Sequence, residues 1–265
     1  MRPRIVTNAA RSVTRDDADD AGAQGGVRIQ KALARAGVAS RREIERWIAE
    51  GRIQVNGEVV TRPGTRVLLG RDHVRVDGRL IRAGAPLVYY LLNKPDACVT
   101  TLKDPEGRRT VGELMRGTRG RVFPVGRLDY HTTGLLLMTN DGDLTERLLR
   151  PGVCPKTYQA RVKGIPSAET LRKISRGLVL DGRRTLPCRV KISPLSRRTE
   201  THTWVEVVLE EGRRNQIRRI FERVGHPVAR LQRIAIGPLR DPGLRPGQHR
   251  SLTESEIRML RGAVA

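Results

Sequence analysis

One acidic side chain stands where covalent or proton-transfer chemistry could be done. It lies in Pro124-Val125-Gly126-Arg127-Leu128-Asp129-Tyr130-His131-Thr132-Thr133-Gly134. A short apolar run, Val122 to Val125, leads into this stretch, and a second, Leu135 to Met138, leads out of it to an Asn140-Asp141-Gly142 turn. The second run reads as a strand buried on both faces. Asp129 is thus expected in a loop carried by buried strands, the kind of rigid support on which catalytic groups are found. An ionised carboxylate there can serve as a nucleophile or move a proton. In a closed cleft it would tend to protonate, and a neighbouring guanidinium would oppose that. The plainer reading is an Asp that accepts hydrogen bonds from its own turn. A metal-dependent nuclease would instead gather Asp104, Asp129, Asp141 and Asp143, but Asp141 and Asp143 sit at a turn and a helix start, ordinary places for Asp. Cys98, Cys154 and Cys188 are far apart in the chain, with no Cys-x-x-Cys or His-rich cluster, so neither a metal site nor a disulfide framework is expected.

The elements that must position this loop can be read on both sides of it. Val88 to Leu92 is an apolar strand ending at Asn93-Lys94-Pro95. Thr110 to Met115 reads as a short helix, and Asp143 to Arg150 as a helix stopped by Pro151. Tyr158 to Val162 returns as a strand, and Ser167 caps a helix ended by Gly177. Leu178 to Leu180, Arg189 to Ile192 and Thr203 to Leu209 are β, and Asn215 to Val224 is a helix with Ile217, Ile220, Phe221 and Val224 inside. Thr253 to Glu256 is a capping box that opens a last helix. Upstream, residues 27–83 form a separate small unit. Ile29, Ala32, Leu33 and Ala36 recur at helical spacing, Ser40 to Glu43 is a capping box, and Asn56-Gly57 and Asp77-Gly78 mark two hairpins. Residues 84–87 read as a linker, and residues 1–26 as a disordered tail. The class is α+β.

The chain has 265 residues, with 51 Lys and Arg against 28 Asp and Glu, a net charge of +23. Such a balance predicts a polyanionic partner. Aromatic residues are only 3%, so a broad base-stacking surface is not expected. Lys31, Arg35, Arg41, Arg42, Arg46 and Arg52 fall on the polar sides of the two small helices and at the turn after them, placed to grip phosphates. No apolar run approaches membrane-spanning length. A cytoplasmic monomer is expected.

Five segments in order carry a resemblance. Gly126-Arg127-Leu128-Asp129 with its following Thr-x-Gly, Asn93-Lys94-Pro95, Lys156-Thr157-Tyr158, Gly212 to Arg219, and Arg233 to Leu239 together resemble the pseudouridine synthases, within them the branch acting on ribosomal RNA. Residues 27–83 resemble the small RNA-binding domain first seen in ribosomal protein S4. The resemblance covers about residues 27–260. It implies an S4-like domain followed, over 88–262, by a synthase domain with a curved, mainly antiparallel sheet and no cofactor. It makes Asp129 the essential acid, Tyr158 the ring that stacks on uracil and assists proton transfer, and Arg218 the ion-pair partner of Asp129. Ile217 would pack the base from the other side, and Lys94 and Arg127 would bind RNA phosphates or shape the Asp129 loop. His131 is expected to contact RNA or serve the loop rather than the chemistry. Asp104-Pro105-Glu106-Gly107-Arg108 is more similar to the large-subunit type than to the small-subunit type, which implies 23S over 16S ribosomal RNA. A non-catalytic RNA-binding assembly factor is the rival reading, against which stand Asp129, Tyr158 and Arg218.

Overall fold

Alternation along the central strand decides the architecture of the larger unit. The computed structural model describes residues 26–82, 84–194 and 201–264, and the tail expected over 1–26 lies, apart from Gly26, outside the described residues. The chain divides between Ala85 and Pro86 into two units.

The first unit runs β1 (Val27–Arg28), α1 (Ile29–Arg35), α2 (Arg41–Ala49), β2 (Ile53–Val55), β3 (Glu58–Val59), β4 (Arg66–Val67), β5 (Val74–Val76) and β6 (Arg79–Leu80). The helical spacing read from the sequence puts Ile29, Leu33, Ile44 and Ile48 into one core with Ile53 and Val74. Strands pair in the order β3-β2-β5-β6. Asn56 and Gly57 both take positive φ, as do Asp77 and Gly78, so each pair forms the two-residue turn its sequence predicts. The first capping box is only half made. Ser40 Oγ accepts from Glu43 N at 3.2 Å, but the Glu43 carboxylate turns to Arg46 instead.

The second unit runs β7 (Tyr89–Lys94), α3 (Val111–Leu114), β8 (Phe123–Pro124), β9 (Thr132–Thr139), α4 (Gly142–Leu149), β10 (Lys156–Lys163), α5 (Ala168–Ser175), β11 (Val179–Leu180), β12 (Arg183–Arg184), β13 (Arg189–Ile192), β14 (His202–Leu209), α6 (Gln216–Arg223), β15 (Val228–Ile236), β16 (His249–Ser251) and α7 (Glu254–Gly262). Seven strands follow the order β13-β14-β10-β15-β9-β7-β16, with β8 paired to β9. All pairs are antiparallel except β15 with β9. On β9, Leu135 and Leu137 join a core with Leu144, Leu148, Leu252 and Leu260, while Leu136 and Met138 join another with Val111, Met115 and Val122. A strand covered on both faces gains about 1.5–3 kcal/mol for each large apolar side chain it buries, so this one forms the rigid centre. A third core packs α5 and α6 on β10, β14 and β15.

The parallel seam between β9 and β15 is tight. A Cβ on Gly134 would lie 2.1 Å from Arg233 O, and Gly134 takes φ +104°, so only glycine fits. Asp141 does not belong to a free turn as read from sequence. It is the N-cap of α4, accepting from Leu144 N at 3.0 Å and from the Tyr89 hydroxyl at 2.7 Å. Burial, then the Asp141 contact, pushes the Tyr89 hydroxyl up to about 12.

Candidate active site

The loop between β8 and β9 is fixed through its main chain. Thr100 Oγ1 donates to Leu128 O at 2.6 Å and accepts from Leu128 N at 3.2 Å. Thr132 N donates to Asp129 O at 2.9 Å. Lys94 Nζ donates to Tyr130 O at 3.1 Å, to Thr132 O at 2.9 Å and to Pro95 O at 3.1 Å. Arg218 Nη2 donates to His131 O at 3.1 Å. Every carbonyl from Leu128 to Thr132 therefore has a partner, while the half-buried Asp129 carboxylate accepts from no described residue. A loop held this way presents its acid in one place without spending it.

Asp129 faces a cleft of about 580 Å³, within the range of pockets that enclose small ligands. Its lining includes Gly126, Arg127, Thr132, Lys156, Tyr158, Arg214, Ile217 and Arg233. Tyr158, on β10, packs against the core under α6 and also against the core under α3, so its ring sits where the two halves of the sheet meet. Ile217, buried at the start of α6, contributes apolar surface to the same cleft. Asp129, Tyr158 and Ile217, all named from the sequence, thus line one cleft.

One of the sequence assignments is narrowed and one needs correction. Lys94, read as a group for RNA phosphates or for shaping the Asp129 loop, is 0% exposed and cannot reach an RNA phosphate, which leaves the role in the loop. The ladder carries it inward at the end of β7, opposite Gly134, where it holds the loop. Burial lowers its pKa, partly opposed by Cys98, Asp96 and Asp129 nearby. Arg218 makes no ion pair with Asp129. Its guanidinium is turned to main-chain oxygens, His131 O and Val228 O, and it is absent from the cleft lining. Those carbonyls, one in the loop and one at the start of β15, take it instead.

The remaining arginines of the Gly212–Arg219 segment divide sharply. Arg213 is held by Glu211 at 3.1 Å and by Arg183 O and Arg184 O, with Glu211 also accepting from Gln216 Nε2 at 2.7 Å. Arg219 pairs with Asp181 at 2.5 Å. Only Arg214 is exposed at the cleft, as Arg127 is on the loop. His131 Nδ1 lies 3.0 Å from Asp96 Oδ1 at the exposed surface.

In the small unit, Arg41 and Arg42 are exposed at the start of α2 and make no bond to a described residue. Lys31 and Arg35 are half-buried on α1. Arg52 corrects the sequence reading: Asp77 takes it at 2.6 Å, Glu50 at 3.1 Å, and Trp47 lies beneath it at 4.8 Å. Arg46 is likewise engaged by Glu43 and by Glu50. Both are occupied by acids close in sequence or across the hairpin.

Among the described residues, no group of three His, Cys, Asp or Glu side chains is placed to hold a metal ion. Asp104 is bound by Arg108 at 2.8 Å and Asp141 caps α4, so the four-Asp arrangement does not assemble.

The geometry defines a class first: an enzyme with a positioned, unpartnered carboxylate and an aromatic ring in a basic cleft, joined to a small basic domain. Comparison with known proteins makes this specific. Residues 88–223 match the RNA pseudouridylate synthase family and residues 27–72 the S4 domain. Ribosomal large subunit pseudouridine synthase B of Bacillus subtilis (strain 168) is 43% identical over 235 residues, 88% of this chain and 95% of the relative. An uncharacterized RNA pseudouridine synthase of Aquifex aeolicus (strain VF5) is 43% identical over 240 residues, 90% and 95% of the two chains. A crystal structure of a pseudouridylate synthase superposes with TM-score 0.62 at 28% identity, covering 88% of this chain and 99% of the other. The chain belongs to the RNA pseudouridylate synthase family, and its activity is the isomerisation of uridine to pseudouridine in RNA.

Sequence reasoning missed Thr100, Lys156 and Arg233 as site residues. Thr100 gave no signal. Arg233 did, as a charge inside Leu231 to Ile236, a stretch otherwise rich in apolar residues.

Proposed function

We propose that this synthase modifies a uridine of 23S ribosomal RNA, with Asp129 as the acid that meets the ribose and Tyr158 as the ring beneath the base. The observation that carries the assignment of Asp129 is the loop: all five carbonyls from Leu128 to Thr132 are bonded and the carboxylate is left over. The large-subunit RNA is supported by the B. subtilis relative, whose name assigns it to that subunit.

The target uridine must leave its helix, at the cost of a few kcal/mol of stacking and pairing. Arg41 and Arg42 on the small unit, with Lys31 and Arg35 beside them, bind phosphates and supply attraction without sequence choice. Arg127 and Arg214 at the cleft take the phosphates flanking the flipped nucleotide. The uracil then lies on Tyr158, with Ile217 closing the apolar side. As the C1′–N1 bond breaks, the Asp129 carboxylate meets the positive charge developing at C1′. The base turns, C5 joins C1′, the C5 proton leaves and N1 gains one, so no atom is lost overall. Lys94, Thr100 and Arg218 act through the loop, as positioning residues.

The test is site-by-site pseudouridine mapping of 16S and 23S RNA after incubation with the protein, with Asp129→Asn alongside. One new site in 23S RNA, absent with the variant, is the expected result. A site in 16S RNA would overturn the substrate assignment, and equal modification by the variant would overturn the role of Asp129.

A further inference from the structure

Arg233 is the one arginine of the cleft that is deeply buried, at 4% exposure. It lies on β15 directly across from Tyr158 of β10 and from Gly134 of β9. Cross-strand partners share a face of the sheet, so its side chain stands on the same face as the Tyr158 ring. Its Nε is pinned to Leu135 O at 2.6 Å, and its Nη2 is buried with no hydrogen-bond partner. An arginine kept only for structure would use its end nitrogens on carbonyls, as Arg213 does. Leaving a buried donor unpaired costs about 1–3 kcal/mol. Such a cost is retained where a ligand completes the bond.

The surroundings hold a surplus of positive charge. Lys156, two residues before Tyr158 on the same face of β10, spends one bond on Leu148 O at 3.0 Å. Burial first, and Arg233 further down, lower its pKa, while only Cys154 and Glu210 act in the opposite sense. Glu211, the acid that lines the cleft besides Asp129, is already taken by Arg213 and Gln216. The floor is therefore prepared for negative charge that arrives with the substrate or arises during the reaction. Phosphates are met by the exposed Arg127 and Arg214. What reaches a side chain this buried is the base.

Resting on the synthase reading above, we propose that Arg233 is a catalytic residue that hydrogen-bonds a carbonyl oxygen of the uracil and stabilises the base as it detaches. When C1′–N1 breaks, the bonding pair leaves with the uracil and spreads over N1, O2 and O4. Arg233 holds that charge while the base turns. The C5–C1′ bond then forms from electrons of the ring, and transfer of the C5 proton leaves N1 protonated. Because Nε is tied to β9, the donor is fixed before substrate arrives, the arrangement that makes charge stabilisation effective.

The experiment uses the full chain and an RNA carrying the uridine identified by mapping. First, wild-type protein is given that RNA with 2-thiouridine or 4-thiouridine at the target, since sulfur is the weaker acceptor. One of the two should slow single-turnover isomerisation by about tenfold or more, the loss of one hydrogen bond; rates within about threefold of uridine for both overturn the proposal. Second, Arg233→Gln and Arg233→Lys are compared with wild type on uridine and on 5-fluorouridine, whose base leaves as a more stable anion; the rate read on both is loss of the N1-linked nucleoside, because C5 of the fluorinated base has no proton to give up. Arg233→Gln should lower the uridine rate by about 100- to 1,000-fold, with RNA affinity held and a clearly smaller defect on 5-fluorouridine. An equal defect on both bases, a loss confined to RNA affinity, or a defect that vanishes as pH rises (which would mean that Arg233 serves Asp129) overturns it. Should both variants unfold, the thiouridine result decides. Inactivity of wild type on unmodified RNA would instead count against the parent reading.

Discussion

Replacing Lys94 with Met tests whether the loop is held from below. The ammonium is fully buried and donates three hydrogen bonds of 2.9 to 3.1 Å to carbonyls. Each bond from a charged donor contributes about 1.5–3 kcal/mol. Against that stands the penalty of burying the charge, several kcal/mol after relaxation. Met keeps the volume and removes the charge together with all three bonds, for a net loss of about 3 kcal/mol. In a unit of this size that lowers the midpoint of thermal unfolding by about 6–12 °C. The acid then sits on a looser loop, and a displacement near 1 Å is enough for about 100-fold in rate. Thermal unfolding, single-turnover isomerisation and RNA affinity between 50 and 200 mM salt, the range over which phosphate contacts show as about 10³–10⁵ in affinity, would be read together. The reasoning fails if stability holds while the slope of affinity against salt drops by about one, the signature of a lost phosphate contact.

Other perturbations separate the remaining assignments. Gly134→Ala should destabilise the larger unit by about 3 kcal/mol or more, because its Cβ meets backbone in a left-handed conformation; an unmoved urea midpoint would contradict the tight seam. Arg41→Ala and Arg42→Ala should each lower the salt slope of RNA binding by about one, whereas Arg52→Ala, already taken by Asp77 and Glu50, should change it less in the same filter-binding series. Glu256 is held down at about 2 from an ordinary 4.5 by Arg250. The unfolded chain takes up this proton first, so the stabilisation is present above pH 4.5 and is lost as pH falls toward 2. Acid titration of unfolding should lose part of that limb in Glu256→Gln.

Much of the fold could be read wherever a local rule coincided with the tertiary one. The Asn56-Gly57 and Asp77-Gly78 turns, the Thr253 to Glu256 capping box and the apolar stripe of α6 all form as the sequence predicts. β15 was missed because Arg230, Gln232 and Arg233 break its apolar pattern, and what recruits it is pairing on both edges, with β10 and β9. For Lys94 the sequence leaves two roles open, an RNA phosphate or the Asp129 loop, and only the ladder, by adding Asn93 and Lys94 to the end of β7, drives it inward to the loop. Asn140-Asp141-Gly142 carried a turn signature, yet the same Asp oxygen is a better acceptor for the first amides of a helix, and α4 claimed it.

The site was legible by residue type for Asp129, Tyr158 and Ile217, and illegible for the cations around them. An arginine carries five donors and no acceptor, so its place is decided by which acceptors lie nearest, and that is settled only when the chain has folded. Around this cleft the acceptors are mostly main-chain carbonyls. Arg213 takes two of them, Arg218 two and Arg233 one, leaving Arg127 and Arg214 at the surface. The Gly126-Arg127-Leu128-Asp129 motif therefore does not make the acid available by itself. Partners drawn from residues 94, 100, 132 and 218 satisfy the loop's own carbonyls, and the carboxylate is the acceptor that remains for the substrate side.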